Sequence, residues 1–191
     1  WMKRKAAERN CAIAGSVAVC ENGNYYNRFY FVHPDGTVQH YDKKHLFTFG
    51  GEHKRFTAGT ERVVVNFRGV RILLEVCYDL RFPVWARNLG DYDMILYVAS
   101  WPTPRVDAWS ALLRARAIEN QCYVAGVNRM GVDPACEYSG GSAIIDPYGK
   151  TIAECPWSRE SAVSADIDME ALQAFRKKFP VLDDADPFTL I

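Results

Sequence analysis

The stretch Val70-Arg71-Ile72-Leu73-Leu74-Glu75-Val76-Cys77-Tyr78-Asp79-Leu80-Arg81-Phe82-Pro83 decides most of the fold. Val70 to Val76 is aliphatic and reads as a strand, paired through Arg68-Gly69 with a strand over Val63 to Phe67. The strand runs out at Cys77, and Pro83 opens a short helix toward Leu89. Such a strand-to-helix junction exposes a side chain at the sheet's edge while the following N–H groups point toward it. That setting lowers a thiol's pKa and supplies half an oxyanion hole.

Outward from this junction the pattern alternates. Met94 to Ala99 is a continuous apolar run, as expected of a strand covered on both faces. Val106 to Gln121 repeats Trp109, Leu112, Leu113, Arg116 and Ala117 at helical spacing. Strands are expected at Tyr123–Val127, Ser142–Ile145, Thr151–Glu154 and Ala162–Ile167, with a turn at Asp146-Pro147-Tyr148-Gly149. Asp168 caps a last helix that runs toward Phe179 and is stopped by Pro180. Upstream, a helix over residues 1–10 precedes strands at Ala12–Val19, Tyr25–Val32 and Val38–Tyr41, the last two joined by a Pro34-Asp35-Gly36 turn. With no repeat or linker, residues 1–191 read as one layered α/β sandwich domain. The helix at the start lacks a capping residue and Trp1 stands before Met2, which reads as an N-terminally truncated chain.

Composition narrows the function. The 191 residues carry 23 Lys plus Arg and 23 Asp plus Glu, so no net positive field exists to attract nucleic acid or an anionic membrane surface. Hydrophobic residues at 49% exclude disorder, and no apolar run reaches the roughly 18 residues of a membrane span. The expectation is a soluble cytoplasmic protein. Its six cysteines (Cys11, Cys20, Cys77, Cys122, Cys136, Cys155) are scattered singly, which suits reduced thiols. No Cys-x-x-Cys pair occurs and the four histidines fall in the first third of the chain, so no metal site is expected.

Lone cysteines are usually small buried hydrophobes, and Cys77 departs from that reading because of its junction. A second unusual stretch is Tyr41-Asp42-Lys43-Lys44-His45-Leu46-Phe47, with two lysines and a histidine between a strand and an aromatic loop. Beside Cys77, one ammonium would stabilise both a thiolate and the oxyanion formed when a carbonyl is attacked. Glu52 is placed to hold that lysine.

Five motifs in order then make a resemblance. They are Tyr-x-Lys-x-His-Leu-Phe at 41–47, Cys-Tyr-Asp-Leu-Arg-Phe-Pro at 77–83, Arg-Ala-x-Glu-Asn at 116–120, Asn128-Arg129 before Gly131, and Ser142 leading to Asp146-Pro147 and Gly149. Together they resemble the nitrilase, or carbon–nitrogen hydrolase, superfamily over nearly the whole chain. Ser100-Trp101-Pro102, Arg105, Lys178-Phe179-Pro180 and the acids Asp183, Asp184 and Asp186 are similar to its bacterial omega-amidase branch. The resemblance implies an α-β-β-α sandwich, here lacking its first strand and first helix, and a Glu–Lys–Cys triad that needs no metal or organic cofactor. It assigns Cys77 as nucleophile, Lys43 rather than Lys44 as the triad lysine, Glu52 as the lysine's support, and the N–H of Tyr78 to the oxyanion hole. The triad glutamate has no counterpart here, since the family carries it upstream of the helix with which this chain starts. The implied substrate is a short omega-amide with a free carboxylate, of the 2-oxo acid type. Arg105 would hold that carboxylate and Trp101 would exclude water. Family members commonly pair, which implies a homodimer or higher homo-oligomer. Two other readings are a Cys–His hydrolase using Cys77 with His45 and a non-catalytic binding protein.

Overall fold

A computed structural model describes residues 1–189; residues 190 and 191, the end of the expected domain, lie outside the described residues. Helix α1 (Met2–Arg9) leads into three antiparallel strands, β1 (Ile13–Glu21), β2 (Asn24–Val32) and β3 (Val38–Asp42). Asn22 and Gly23, with φ of 51° and 79°, form the two-residue hairpin between β1 and β2. The Pro34-Asp35-Gly36 turn joins β2 to β3 as expected, with the Thr37 N–H donating to Asp35 Oδ1 at 2.8 Å.

Strands β4 (Val64–Phe67) and β5 (Val70–Val76) form the second hairpin, and helix α2 covers Pro83–Ala86. They are followed by β6 (Met94–Ala99), helix α3 (Val106–Glu119) and β7 (Tyr123–Asn128). A small ribbon, β8 (Met130–Val132) with β9 (Glu137–Ser139), precedes β10 (Ala143–Ile145), β11 (Thr151–Glu154) and helix α4 (Met169–Lys178). The larger sheet has the order β11-β10-β7-β6-β5-β4, with β5, β6 and β7 parallel at its centre.

Strand alternation builds two cores. Ile72, Leu74 and Val76 face Phe29, Phe31 and Tyr41 of the smaller sheet. Leu73, Ile95, Tyr97 and Val124 on the opposite face meet Trp109, Leu113 and Ala117 of α3. Each fully buried large side chain contributes about 1.5–3 kcal/mol. With α1 burying Ala6 against the outer side of the small sheet, the layers run α-β-β-α. Helix α4 is capped by Asp168, whose Oδ1 accepts from the Ala171 N–H at 2.8 Å. Arg176 of α4 then ties it to Asp93 and to the Gln121 carbonyl at the lower ends of β6 and β7.

Two expected elements differ. Ala162–Ile167 is not a strand: its residues are mostly exposed and pair with no neighbour among the described residues, and β propensity without a ladder partner does not make a strand. The helix opened by Pro83 stops at Ala86 rather than Leu89. Arg87 turns extended at φ −57°, ψ 128°, and the next N–H, that of Asn88, is claimed by the Asn120 side chain at 2.9 Å. Among the described residues, no helix is long and apolar enough to cross a membrane.

Candidate active site

Cys77 directly follows β5 at φ 51°, a left-handed conformation that costs a non-glycine residue energy unless its surroundings enforce it. Here they do. Asp79, wholly buried, accepts from the Val76 N–H at 3.0 Å, the Tyr41 hydroxyl at 2.9 Å and the His45 N–H at 2.9 Å. His45 Nδ1 lies 2.8 Å from the same carboxylate. From the other side, Arg116 of α3 donates to the Leu80 carbonyl at 2.6 Å. The turn over Cys77–Arg81 is thus bolted to both layers. As the first turn of a helical segment it leaves the Tyr78 N–H without an intrahelical acceptor.

A cavity of about 230 Å³ opens over this turn, small beside the roughly 300–1,000 Å³ of drug-sized sites. Cys77, Lys43, Glu52, Tyr78, Trp101 and Arg105 all line it. Lys43 is 3% exposed and its Nζ lies 2.6 Å from Glu52 Oε2. Glu52 also accepts from the Phe47 N–H at 2.6 Å and the Asn27 amide at 3.1 Å. Burial works to raise the Glu52 carboxyl, but the Lys43 ammonium and these donors outweigh it and hold it below its ordinary value. Lys44 points elsewhere, its ammonium over the Trp85 ring at 5.3 Å.

The thiol departs from the expectation of a lowered pKa. Cys77 is reachable from the cavity yet densely surrounded, and burial pushes its thiol up. The Lys43 charge and the hydrogen bond to the Ser100 carbonyl at 3.9 Å only partly offset that. At neutral pH the sulfur carries its proton, so attack on a carbonyl requires a base to remove it. Glu52 is the one carboxylate lining the cavity among the described residues, and it is committed to Lys43. His45 is not part of the cavity wall; it stacks on Phe82 at 3.8 Å and 7°. The Cys–His arrangement is therefore not formed.

Trp101 is nearly buried, and its indole N–H donates to the Arg105 carbonyl at 2.7 Å. Asn128, at the end of β7, fixes that loop: its Oδ1 accepts from the Trp101 N–H at 2.7 Å and its amide donates to the Trp101 and Gly140 carbonyls. The Arg105 side chain reaches back over the Phe47 ring at 5.3 Å. Among the described residues, no group of three His, Cys, Asp or Glu side chains converges as a metal set would. Sequence reasoning gave no role to Asp79, Arg81, Arg116 or Asn128, although each stood inside a quoted motif, and Asn27 left no signal at all.

The motif order and this geometry agree with comparison to known proteins. A family model described as carbon-nitrogen hydrolase matches residues 1–177. The chain belongs to that family. This carbon–nitrogen hydrolase is 53% identical to the omega-amidase YafV of Escherichia coli (strain K12), over all of the chain and 75% of the relative. It is 41% identical to the 2-oxoglutaramate amidase of Bacillus subtilis (strain 168), over 96% of the chain and 72% of that protein. The crystal structure of XC1258 from Xanthomonas campestris, a CN-hydrolase superfamily protein with an arsenic adduct in its active site, superposes with a TM-score of 0.96. It is 46% identical, covering all of this chain and 75% of that one.

Proposed function

We propose that this carbon–nitrogen hydrolase releases ammonia from the omega-amide of a short 2-oxo acid through a thioester on Cys77. The observation that carries the reading is one small cavity holding a thiol, a buried Lys43–Glu52 ion pair and the Arg105 guanidinium. In this reading Cys77 Sγ attacks the amide carbonyl and its proton passes to the departing nitrogen. The C–N bond breaks as ammonia leaves, and water cleaves the thioester to give the acid. Lys43 and the Tyr78 N–H face the oxygen that becomes negative, while Glu52 keeps Lys43 charged and in place. The proton carrier in this reading is a further carboxylate, the family's glutamate, for which residues 1–191 offer no match. Relatives named as omega-amidase and 2-oxoglutaramate amidase support the substrate class. The same reading takes residues 1–191 as a single domain working as a cytoplasmic homodimer without metal or organic cofactor.

Steady-state kinetics test it. Cys77→Ala should abolish ammonia release with the fold intact. Arg105→Ala should weaken a 2-oxo acid amide by about 2 kcal/mol in kcat/KM while sparing a neutral amide of equal length. Turnover by Cys77→Ala, or equal losses on both amides, would overturn the corresponding assignment.

A further inference from the structure

The cavity carries a second guanidinium. Arg81, four residues after Cys77 and exposed at the cavity's rim, lines the same space, its guanidinium carbon 5.0 Å over the Trp101 ring. Arg105 lies in the same way over Phe47. Among the other arginines, Arg28 pairs with Asp42, Arg62 with Asp91, Arg71 and Arg176 with Asp93, and Arg116 with Glu119, while Arg68 and Arg87 are spent on backbone carbonyls. Arg81 and Arg105 have no acidic partner among the described residues. Lys43 is already balanced by Glu52, so among the described residues the space beside Cys77 holds two guanidiniums with no acid paired to them.

One substrate carboxylate offsets one of them. A planar guanidinium resting on an aromatic face keeps its in-plane N–H groups free and is limited in its orientation, which suits it to a second planar acceptor. A 2-oxo acid offers one, because its ketone oxygen adjoins the carboxylate. The corresponding 2-amino acid, glutamine or asparagine, places an ammonium at that carbon instead. Two guanidiniums repel it, which disfavours the 2-amino compound relative to the 2-oxo one.

Resting on the amidase reading above, we propose that Arg81 is a specificity residue that admits omega-amides of 2-oxo acids and rejects those of 2-amino acids. The rejection matters chemically, since the two differ only at the carbon next to the carboxylate, far from the bond that is cut.

The test compares a 2-oxo acid omega-amide with the 2-amino acid amide of the same length. Dissociation constants are measured by Trp101-dependent fluorescence or calorimetry on the Cys77→Ala protein, which binds without turnover, and kcat/KM on the enzyme with Cys77 intact. The expected preference for the 2-oxo compound is on the order of 100-fold. Arg81→Gln should shrink that ratio about tenfold, chiefly through binding and KM, by weakening the 2-oxo ligand and tolerating the amino one. Arg81→Lys, which keeps the charge, should retain most of the discrimination. A ratio unchanged in Arg81→Gln, or equal weakening of both ligands, would show that Arg81 merely packs on Trp101 and would overturn the proposal. An absent acyl adduct on Cys77 with every amide would instead remove the amidase reading, while the binding ratio on Cys77→Ala still decides the part played by Arg81.

Discussion

Replacing Lys43 by Met separates the two things the buried ion pair does. The thioether stem fills most of the space of the lysine stem, so the change removes charge more than volume. Glu52, 13% exposed, then keeps only the neutral Asn27 and Phe47 donors. Breaking a buried pair from one side costs about 3–5 kcal/mol, and the surviving donors place this case near the lower end. The pH dependence follows from the direction in which the Glu52 carboxyl is moved. It is held below the ordinary 4.5 in the fold, so the pair's contribution is present above that value and is lost as pH falls through the folded pKa. Without Lys43, burial dominates, the carboxyl rises, and protonation relieves the variant. Urea unfolding should show a gap from wild type that is full at pH 7 and narrows toward pH 4.5. Activity should fall about 100- to 1,000-fold, the cost of one oxyanion donor. Lys44→Met should lose only about 0.5–1 kcal/mol, the worth of a partly exposed ammonium over Trp85. The double variant Lys43→Met with Glu52→Gln should recover stability and not activity. Equal effects at 43 and 44, a gap that does not narrow in acid, or recovery of activity in the double variant would refute the reasoning.

Iodoacetamide labelling of Cys77 should rise with a midpoint above the ordinary thiol value of 9.0, and Lys43→Met should move it higher still; a midpoint below that value would contradict the burial argument. Glu75, on the α3 face of β5 and wholly buried, has no partner for either oxygen, and the hydroxyl of its register neighbour Tyr97 is unpartnered too. Burial, and then the charge of Asp79, raise the Glu75 carboxyl well above 4.5, so its neutral form stabilises the fold below that pH and the benefit drains away as pH climbs toward the folded value. Glu75→Gln should flatten stability against pH above 4.5, where every tenfold change in proton affinity is worth about 1.4 kcal/mol; identical profiles for variant and wild type would show that Glu75 does not titrate this way.

The hairpins were legible because their turns carry local chemistry. Pro34-Asp35-Gly36 and Arg68-Gly69 join their strands where the sequence placed them. Asn22-Gly23 is as plain a signal, and it extends β1 to Glu21 beyond the expected Val19. Ala162–Ile167 went wrong for the opposite reason: its composition is that of a strand, but pairing is settled by what lies beside it. The cavity's lining was legible where chemistry and spacing coincide, at Cys77, Lys43 and Glu52. Asp79 was not, because a carboxylate that works by gathering donors from residues 41, 45 and 76 has no pattern in the linear chain. Arg81 was hidden differently, since only the fold shows that its guanidinium has Trp101 beneath it and no acid beside it.

The cavity's two ends are carried by different segments. The thiol sits on a turn clamped by Asp79 and Arg116, whereas Trp101 and Arg105 belong to the loop between β6 and α3, held chiefly through the Asn128 side chain. For an evolving gene this is a division of labour. If Arg105 holds the substrate's acid as proposed, drift in residues 102–105 would alter that wall of the cavity and leave the backbone at Cys77 undisturbed, whereas Arg81 stays tied to the clamped turn. Substitutions at Asp79 or Asn128 have no such latitude, because Asp79 gathers donors from three segments and Asn128 ties Trp101 to Gly140.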